Sequence, residues 1–274
     1  MRAIVVLLVH LVLFAGCVGQ GGPPGPADDG TSAPVTATPV RYIWNATGCR
    51  EITATFDVST AALQAELPEG FTARPSRTPG RSGVGVDFFE CAQSVLTSGP
   101  TEGGAYASFW AGVDAPAALM GNATDAFVKW DTLIPDPVAF AALSSAKASV
   151  RTGSVTVRDA TPAGGIAGEI AFDELGSFVA TALAGVAPPG ATGGSTLLRE
   201  WSSAGEDGSE LAMWEVNLTQ YGSSFAPGTL TVPADSIAAK LYGGTTIPSL
   251  MGWGDADLRD GFMELHARTP GDVA

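Results

Sequence analysis

The chain has 274 residues, 45% of them hydrophobic, and a formal net charge of −14 from 14 Lys and Arg against 28 Asp and Glu. This acidic balance argues against nucleic acid or an anionic lipid surface as a partner, because both attract basic proteins. The length is ample for one sizeable hydrophobic core.

Residues 1–17 have the pattern of an export signal. Arg2 supplies a positive start, an apolar run follows to Phe14, and Ala15-Gly16-Cys17 ends the segment. This ending resembles the lipobox of prokaryotic lipoproteins, although Phe14 stands where that motif usually has Leu. The resemblance implies that Cys17 is lipidated and holds the exported protein on the outer face of the cell membrane. An ordinary secretory signal cleaved nearby is the alternative.

Residues 18–40 predict a disordered tether, since five Gly and five Pro occupy its 23 positions. The rest of the chain, 41–274, is predicted to form a single globular domain. Its best internal break, residues 186–194, is interpreted as a loop.

Alternating apolar residues predict many strands in the globular part. Ile52 to Val58 alternates with period two, and Ser59 can cap a short helix that carries Leu63 and ends at Pro68. Further strands are predicted at 84–88, 104–113, 148–158, 165–172, 196–203, 210–220 and 261–267, and helices at 124–130, 137–146 and 234–241. The pattern favours a mainly β (α+β) fold, an antiparallel barrel-like or sandwich-like domain with a few short helices.

Cys49 and Cys91 form an even pair in an exported domain and lie at the ends of predicted strands. A disulfide is therefore expected, with two buried free thiols as the alternative. No metal site is expected, because the cysteines and His266 lie far apart in sequence.

Three Asn-x-Thr triplets, at Asn45, Asn122 and Asn217, are glycosylation candidates if the host has such a system. Chance is the alternative, since a sequence rich in Ala and Thr makes such triplets often.

The usual catalytic motifs are missing. There is no Gly-x-Ser-x-Gly elbow, and His266 is interpreted as structural. Gly-rich pieces such as Gly164-Gly165 do not open a helix after a strand, so neither a phosphate-binding loop nor a cofactor is predicted.

Three segments are similar to acetoacetate decarboxylase-like proteins. Val58–Phe71 resembles their opening strand, helix and Leu-Pro-x-Gly turn, 104–110 resembles their Gly-x-Tyr-x-Glu strand, and 146–150 falls where they carry Pro-Lys-Lys. The resemblance implies a closed or nearly closed antiparallel β structure with a central apolar cavity. It also implies a lysine that forms a Schiff base with a keto acid.

The sequence departs from that family at the positions that carry the chemistry. Lys147 is the candidate lysine, but Ala146 and Ala148 beside it are uncharged, and Ser108 replaces the strand glutamate. Without a neighbouring cation, a lysine with a pKa of about 10.4 stays protonated at neutral pH. Lys147 is therefore predicted to be a solvated strand-end residue without a catalytic role.

Three hypotheses follow. The leading one is an exported, lipid-anchored β-rich domain that binds a small or apolar ligand in an internal cavity without catalysis. The alternatives are a decarboxylase-like lyase that uses a Schiff-base lysine, and a surface structural or interaction protein. A cavity would be lined by the aromatic residues Phe109, Trp110, Trp201, Trp214 and Trp253, which otherwise form ordinary core. The oligomeric state is not predicted.

Overall fold

A computed structural model describes residues 41–96, 100–134, 136–159, 165–182, 194–204 and 210–267. All of them lie in one compact unit, 38–274. The predicted signal, the predicted tether and most of the predicted loop at 186–194 lie outside the described residues.

Strands dominate the described residues, and the helices between them are short. The strands are β1 Arg41–Ser59, β2 Thr72–Ala73, β3 Arg81–Leu96, β4 Pro100–Asp114, β5 Asp125–Leu133, β6 Val150–Arg151, β7 Gly153–Asp159, β8 Ile166–Phe172, β9 Gly176–Ala182, β10 Ser195–Ala204, β11 Glu210–Thr231 and β12 Thr246–Ala267. The helices are α1 Thr60–Gln64, α2 Ala117–Met120, α3 Pro137–Ser145 and α4 Ile237–Tyr242.

Seven strands close into a barrel in the order β10-β5-β4-β3-β1-β12-β11, with β10 pairing back onto β11. The pairings around this ring are antiparallel except for β5 with β10, which run parallel. Closure gives each of these strands one face towards the interior. The prediction of a mainly β, barrel-like domain with few short helices is confirmed.

The strands β9, β8 and β7 extend the sheet beyond the barrel. β9 pairs with Gly228–Thr231 at the end of β11, and β8 and β7 then fold back over β1 and β3. The approach is close, because a Cβ on Gly168 of β8 would lie 2.7 Å from Ile52 Cδ1 and 3.2 Å from Phe88 Cδ1. The largest apolar core fills this space.

Side chains of the barrel close the free edge of β7. The Val157 backbone N–H donates to Glu90 Oε2 at 2.6 Å, and Arg50 donates to the Val157 carbonyl at 3.2 Å. Arg50 also pairs with Asp159 at 2.8 Å. Two charged side chains from β1 and β3 thus hold the last strand of the sheet against the barrel.

Several local predictions are confirmed. Ser59 caps α1 by accepting from the Ala62 N–H, and Leu63 is fully buried. Cys49 and Cys91 lie directly opposite each other on β1 and β3 and form the expected disulfide.

The predicted helix at 124–130 is wrong, because these residues form most of β5. The residues of β5 are buried on both faces, so the strand lacks the alternation that marks a half-exposed one. Strand β9 and the first half of β12 were also not predicted. Among the described residues, no helix is long and apolar enough to cross a membrane.

Candidate functional site in the barrel interior

The barrel interior carries an unusual set of polar side chains. Alternate residues of a strand point to the same face, and the register places Lys129 opposite Trp110 and Asp87 opposite Ser108. On β10, Glu200 lies opposite Trp214 of β11. Neighbouring strands therefore bring one lysine and several acids and indoles to one place.

Lys129 lies at the centre of this set and is 1% exposed. Its Nζ lies 2.5 Å from Glu200 Oε2 and 4.2 Å from the centroid of the Tyr106 ring. The Tyr106 hydroxyl donates to the same Glu200 oxygen at 3.4 Å. The contact between Lys129 Nζ and Glu200 is close but poorly aligned for a directed hydrogen bond.

Burial moves both partners of this pair towards their neutral forms. It lowers the pKa of Lys129, while the charges of Glu200 and Asp87 oppose that change. Burial also raises the pKa of Glu200, against the opposing effect of Lys129. A neutral amine beside a carboxylic acid is the state that desolvation favours here.

Two further carboxyl groups meet through a threonine next to this pair. The Thr53 hydroxyl lies 2.9 Å from Asp87 Oδ1 and 3.0 Å from Glu51 Oε1. The Gln220 amide donates to both oxygens of Glu51, at 2.9 and 2.8 Å. One hydroxyl proton cannot serve two ionised carboxylates, so both contacts are hydrogen bonds only when one acid is protonated.

The electrostatics agree with this geometry. Burial, followed by the charge of Asp87, raises the pKa of Glu51 to about 7. Burial raises the pKa of Asp87 to about 6, although Lys129 acts in the opposite direction. Asp87 and Thr53 retain some accessible surface, which places them nearer solvent than Lys129.

Buried polar atoms without an aligned partner gather in the same region. Among the described residues they include Ser108 Oγ, Lys129 Nζ, Ser202 Oγ and Trp214 Nε1. Ser108 and Ser202 are completely buried. Since buried polar groups are normally paired, this concentration marks a place suited to a polar ligand.

A cavity of about 210 Å³ opens beside Glu51. The residues that line it are Arg50, Glu51, Val157, Ile166, Ser224, Trp253, Gly254 and Asp255. Glu51 therefore joins this cavity to the buried network through its contact with Thr53.

The residues predicted from sequence are placed as follows. Lys147 is exposed, just after the end of α3, and Asn122 is exposed, whereas Asn45 and Asn217 are half-buried. His266 has its backbone in β12, opposite Leu211. Cys17 lies outside the described residues.

The five aromatic residues do not form one lining. Trp110 and Trp214 lie in the barrel interior, while Phe109 and Trp201 belong to apolar cores on the opposite face of the strands. Trp253 lines the cavity. Within the described part of the chain, no group of three His, Cys, Asp or Glu residues could hold a metal ion.

Lys129 was missed as a site residue. Its segment was interpreted as a helix, and no motif surrounds it. One signal was available, because Lys129 is one of three lysines and lies within the apolar run Phe127-Val128-Lys129-Trp130. A lone lysine between apolar neighbours on both sides is rarely a surface residue of a strand.

Comparison with known proteins shows the fold. No family model and no curated protein matches this sequence. Solved structures do match, among them an acetoacetate decarboxylase-like enzyme from Sphingomonas wittichii RW1, with 13% identity, a TM-score of 0.51, and coverage of 82% of this chain and 90% of that one. Acetoacetate decarboxylase from Legionella pneumophila gives 11% identity, a TM-score of 0.53, and 87% and 93% coverage.

The enduracididine biosynthesis enzyme MppR also matches. It was solved with the condensation product of pyruvate and imidazole 4-carboxaldehyde, and gives 13% identity, a TM-score of 0.51, and 93% and 100% coverage. At this level of identity the likeness concerns the fold alone. The chain therefore has the acetoacetate decarboxylase-like fold that the sequence resemblance implied.

Proposed function

We propose that this protein is an enzyme that forms a Schiff base between Lys129 and a small carbonyl substrate inside the barrel. The observation that carries the proposal is the buried pair of Lys129 and Glu200, at 2.5 Å, surrounded by polar groups without aligned partners. A lysine is nucleophilic only when neutral, and desolvation is one of the established ways to make it so.

The pair can supply both the nucleophile and the acid. The Lys129 amine attacks the carbonyl carbon, and the resulting carbinolamine loses water by breaking its C–O bond. Protonated Glu200 gives its proton to the departing hydroxyl. A neutral amine and a carboxylic acid are thereby converted into an iminium and a carboxylate, which attract each other in the buried site.

The matching structures support carbonyl chemistry without assigning a reaction. Two of them are named as acetoacetate decarboxylase or an enzyme like it, and MppR was solved with a product made from a keto acid and an aldehyde. Within the described residues, the charges that act on Lys129 are those of Glu200 and Asp87, so the proposal depends on burial of Lys129 and not on a neighbouring cation.

Reductive trapping tests the proposal. Sodium cyanoborohydride with acetone or acetoacetate should produce a stable adduct, and peptide mapping should place it on Lys129. We expect Lys129→Arg and Lys129→Met to lose the adduct, because neither side chain can form an imine, while Lys147→Arg keeps it.

Circular dichroism and thermal melting must show that the variants fold. An adduct on Lys147 instead, or no adduct in the folded wild type with any carbonyl probe, would overturn the assignment.

A second candidate function is ligand binding without catalysis. The cavity of about 210 Å³ beside Trp253 and Glu51 favours it, since it has room for a small molecule. Binding of a small ligand with no adduct at Lys129 would favour this function over the enzyme.

A further inference from the structure

We infer that the carbonyl substrate of the Lys129 site carries no carboxylate and is a small neutral or cationic aldehyde or ketone. This inference rests on the proposed Schiff-base function and names its substrate class. It is based on the charges of the buried groups around Lys129 and of the cavity beside Glu51.

The buried network already holds more acid than base. Glu51, Asp87 and Glu200 share it with Lys129, and the contacts run from Glu51 through Thr53 to Asp87. Even when Glu200 and Lys129 neutralise each other and one proton is shared between Glu51 and Asp87, one negative charge remains. A keto acid would bring a second negative charge into a buried space, where opposing solvation is weak.

The nearby arginines do not offset this charge. Arg50 lines the cavity, but it is paired with Asp159 at 2.8 Å and donates to the Val157 carbonyl. Arg151 is paired with Asp131 at 2.7 Å. Each of these cations already has a carboxylate of its own.

The cavity beside Glu51 is acidic as well. The cavity is lined by two carboxyl groups, Glu51 and Asp255, in addition to the paired Arg50. The whole chain carries a formal charge of −14. A surface and a cleft of one sign lower the local concentration of ligands with the same sign. A neutral ketone meets no such barrier, and a cationic one is attracted.

The buried unpaired atoms suit an uncharged oxygen. Ser108 Oγ, Ser202 Oγ and Trp214 Nε1 can each donate to a carbonyl or hydroxyl oxygen of a substrate. Neutral donors of this kind stabilise a carbonyl dipole, but they do not neutralise a full negative charge.

Matched probes test the inference. Acetoacetate is compared with acetoacetamide, and pyruvate with pyruvamide, at equal concentrations in the cyanoborohydride assay with the full-length protein. Each pair differs by one charge at nearly constant size. We expect the amides to label Lys129 at least about tenfold faster than the acids, a difference of about 1.4 kcal/mol.

Charge-removing variants provide the control. Glu51→Gln and Asp87→Asn should lower the ratio of the amide labelling rate to the acid labelling rate, because each removes a carboxyl group from the network. Glu169→Gln removes an exposed charge on β8 and should leave the preference unchanged.

The outcomes distinguish the substrate class from the Schiff-base function. Labelling of Lys129 that is as fast or faster with the acids overturns the substrate class and leaves the Schiff-base function in place. Absence of Lys129 labelling with all four probes overturns the Schiff-base function itself. A preference for the amides that is equal in Glu51→Gln, Asp87→Asn and wild type shows that these carboxyl groups are not its cause, and also overturns the inference.

Discussion

At the scale of single residues, the contacts of the Thr53 hydroxyl indicate that one of two carboxyl groups in the barrel is protonated. Its hydroxyl lies within hydrogen-bonding distance of Asp87 and Glu51 but has one proton to donate. Up to about neutral pH, the native structure therefore retains a carboxyl proton that the unfolded chain has already released at about pH 4.5. Such retention links the stability of the protein to pH.

The sign of this effect follows from Glu51, whose pKa rises from 4.5 to about 7 on folding. A raised carboxyl pKa favours the folded state below about pH 4.5, and this contribution is lost as the pH rises to about 7. It corresponds to a free energy on the order of 3 kcal/mol.

We predict that Glu51→Gln reduces the loss of folding stability that occurs as the pH rises. Its amide can still contact Gln220 and Thr53, but it cannot ionise. Urea denaturation at pH 5 and pH 8 should show a smaller decrease in the free energy of unfolding for Glu51→Gln than for the wild type. Glu169→Gln, on the exposed side of β8, is the control. Parallel decreases in all three proteins would contradict the prediction.

At the scale of elements, the sequence predicted strands well where one face meets solvent and poorly where both faces are buried. Ile52 to Val58 alternates clearly and forms part of β1, whereas the residues of β5 are almost all covered and were interpreted as a helix. Because its segment was interpreted as a helix, Lys129 was not recognised as a site residue. The apolar run around Lys129 could indicate a buried lysine, but its partners Tyr106 and Glu200 lie on other strands, β4 and β10, so no local pattern could reveal them.

The close packing of β8 over the barrel gives a prediction for Gly168. A Cβ there would lie 2.7 Å from Ile52 Cδ1, so Gly168→Ala must displace the Ile52 or Phe88 side chain. We expect a loss of about 1–3 kcal/mol in the free energy of unfolding, as for other overpacked cores. The matched control is Gly83→Ala on β3, where a Cβ meets nothing within 4 Å. Equal stability of the two variants in denaturant titration would refute this account of the contact.

At the scale of the whole molecule, we propose that the protein acts outside the cytoplasm on a lipid anchor. The disulfide between Cys49 and Cys91 supports an oxidising location, because such bonds persist mainly in exported proteins. It joins residues 42 apart in sequence, and the chain-entropy relation assigns about 4 kcal/mol to a loop of that length.

The anchor gives a direct prediction. Cells that express the protein and are fed a fatty-acid analogue should label the wild type, and Cys17→Ser should lose the label because it lacks the acceptor thiol. Retention of full label by Cys17→Ser would rule out Cys17 as the attachment site, and absence of label from the wild type would favour an ordinary cleaved signal.

The side chains that close the edge of β7 have a consequence for self-association. An exposed edge strand offers unpaired backbone groups to the strands of other molecules and can start aggregation. At Val157 the N–H is taken by Glu90 and the carbonyl by Arg50, so a foreign strand would first have to displace two charged side chains. These two contacts therefore protect the protein from extending its sheet into that of a neighbouring molecule.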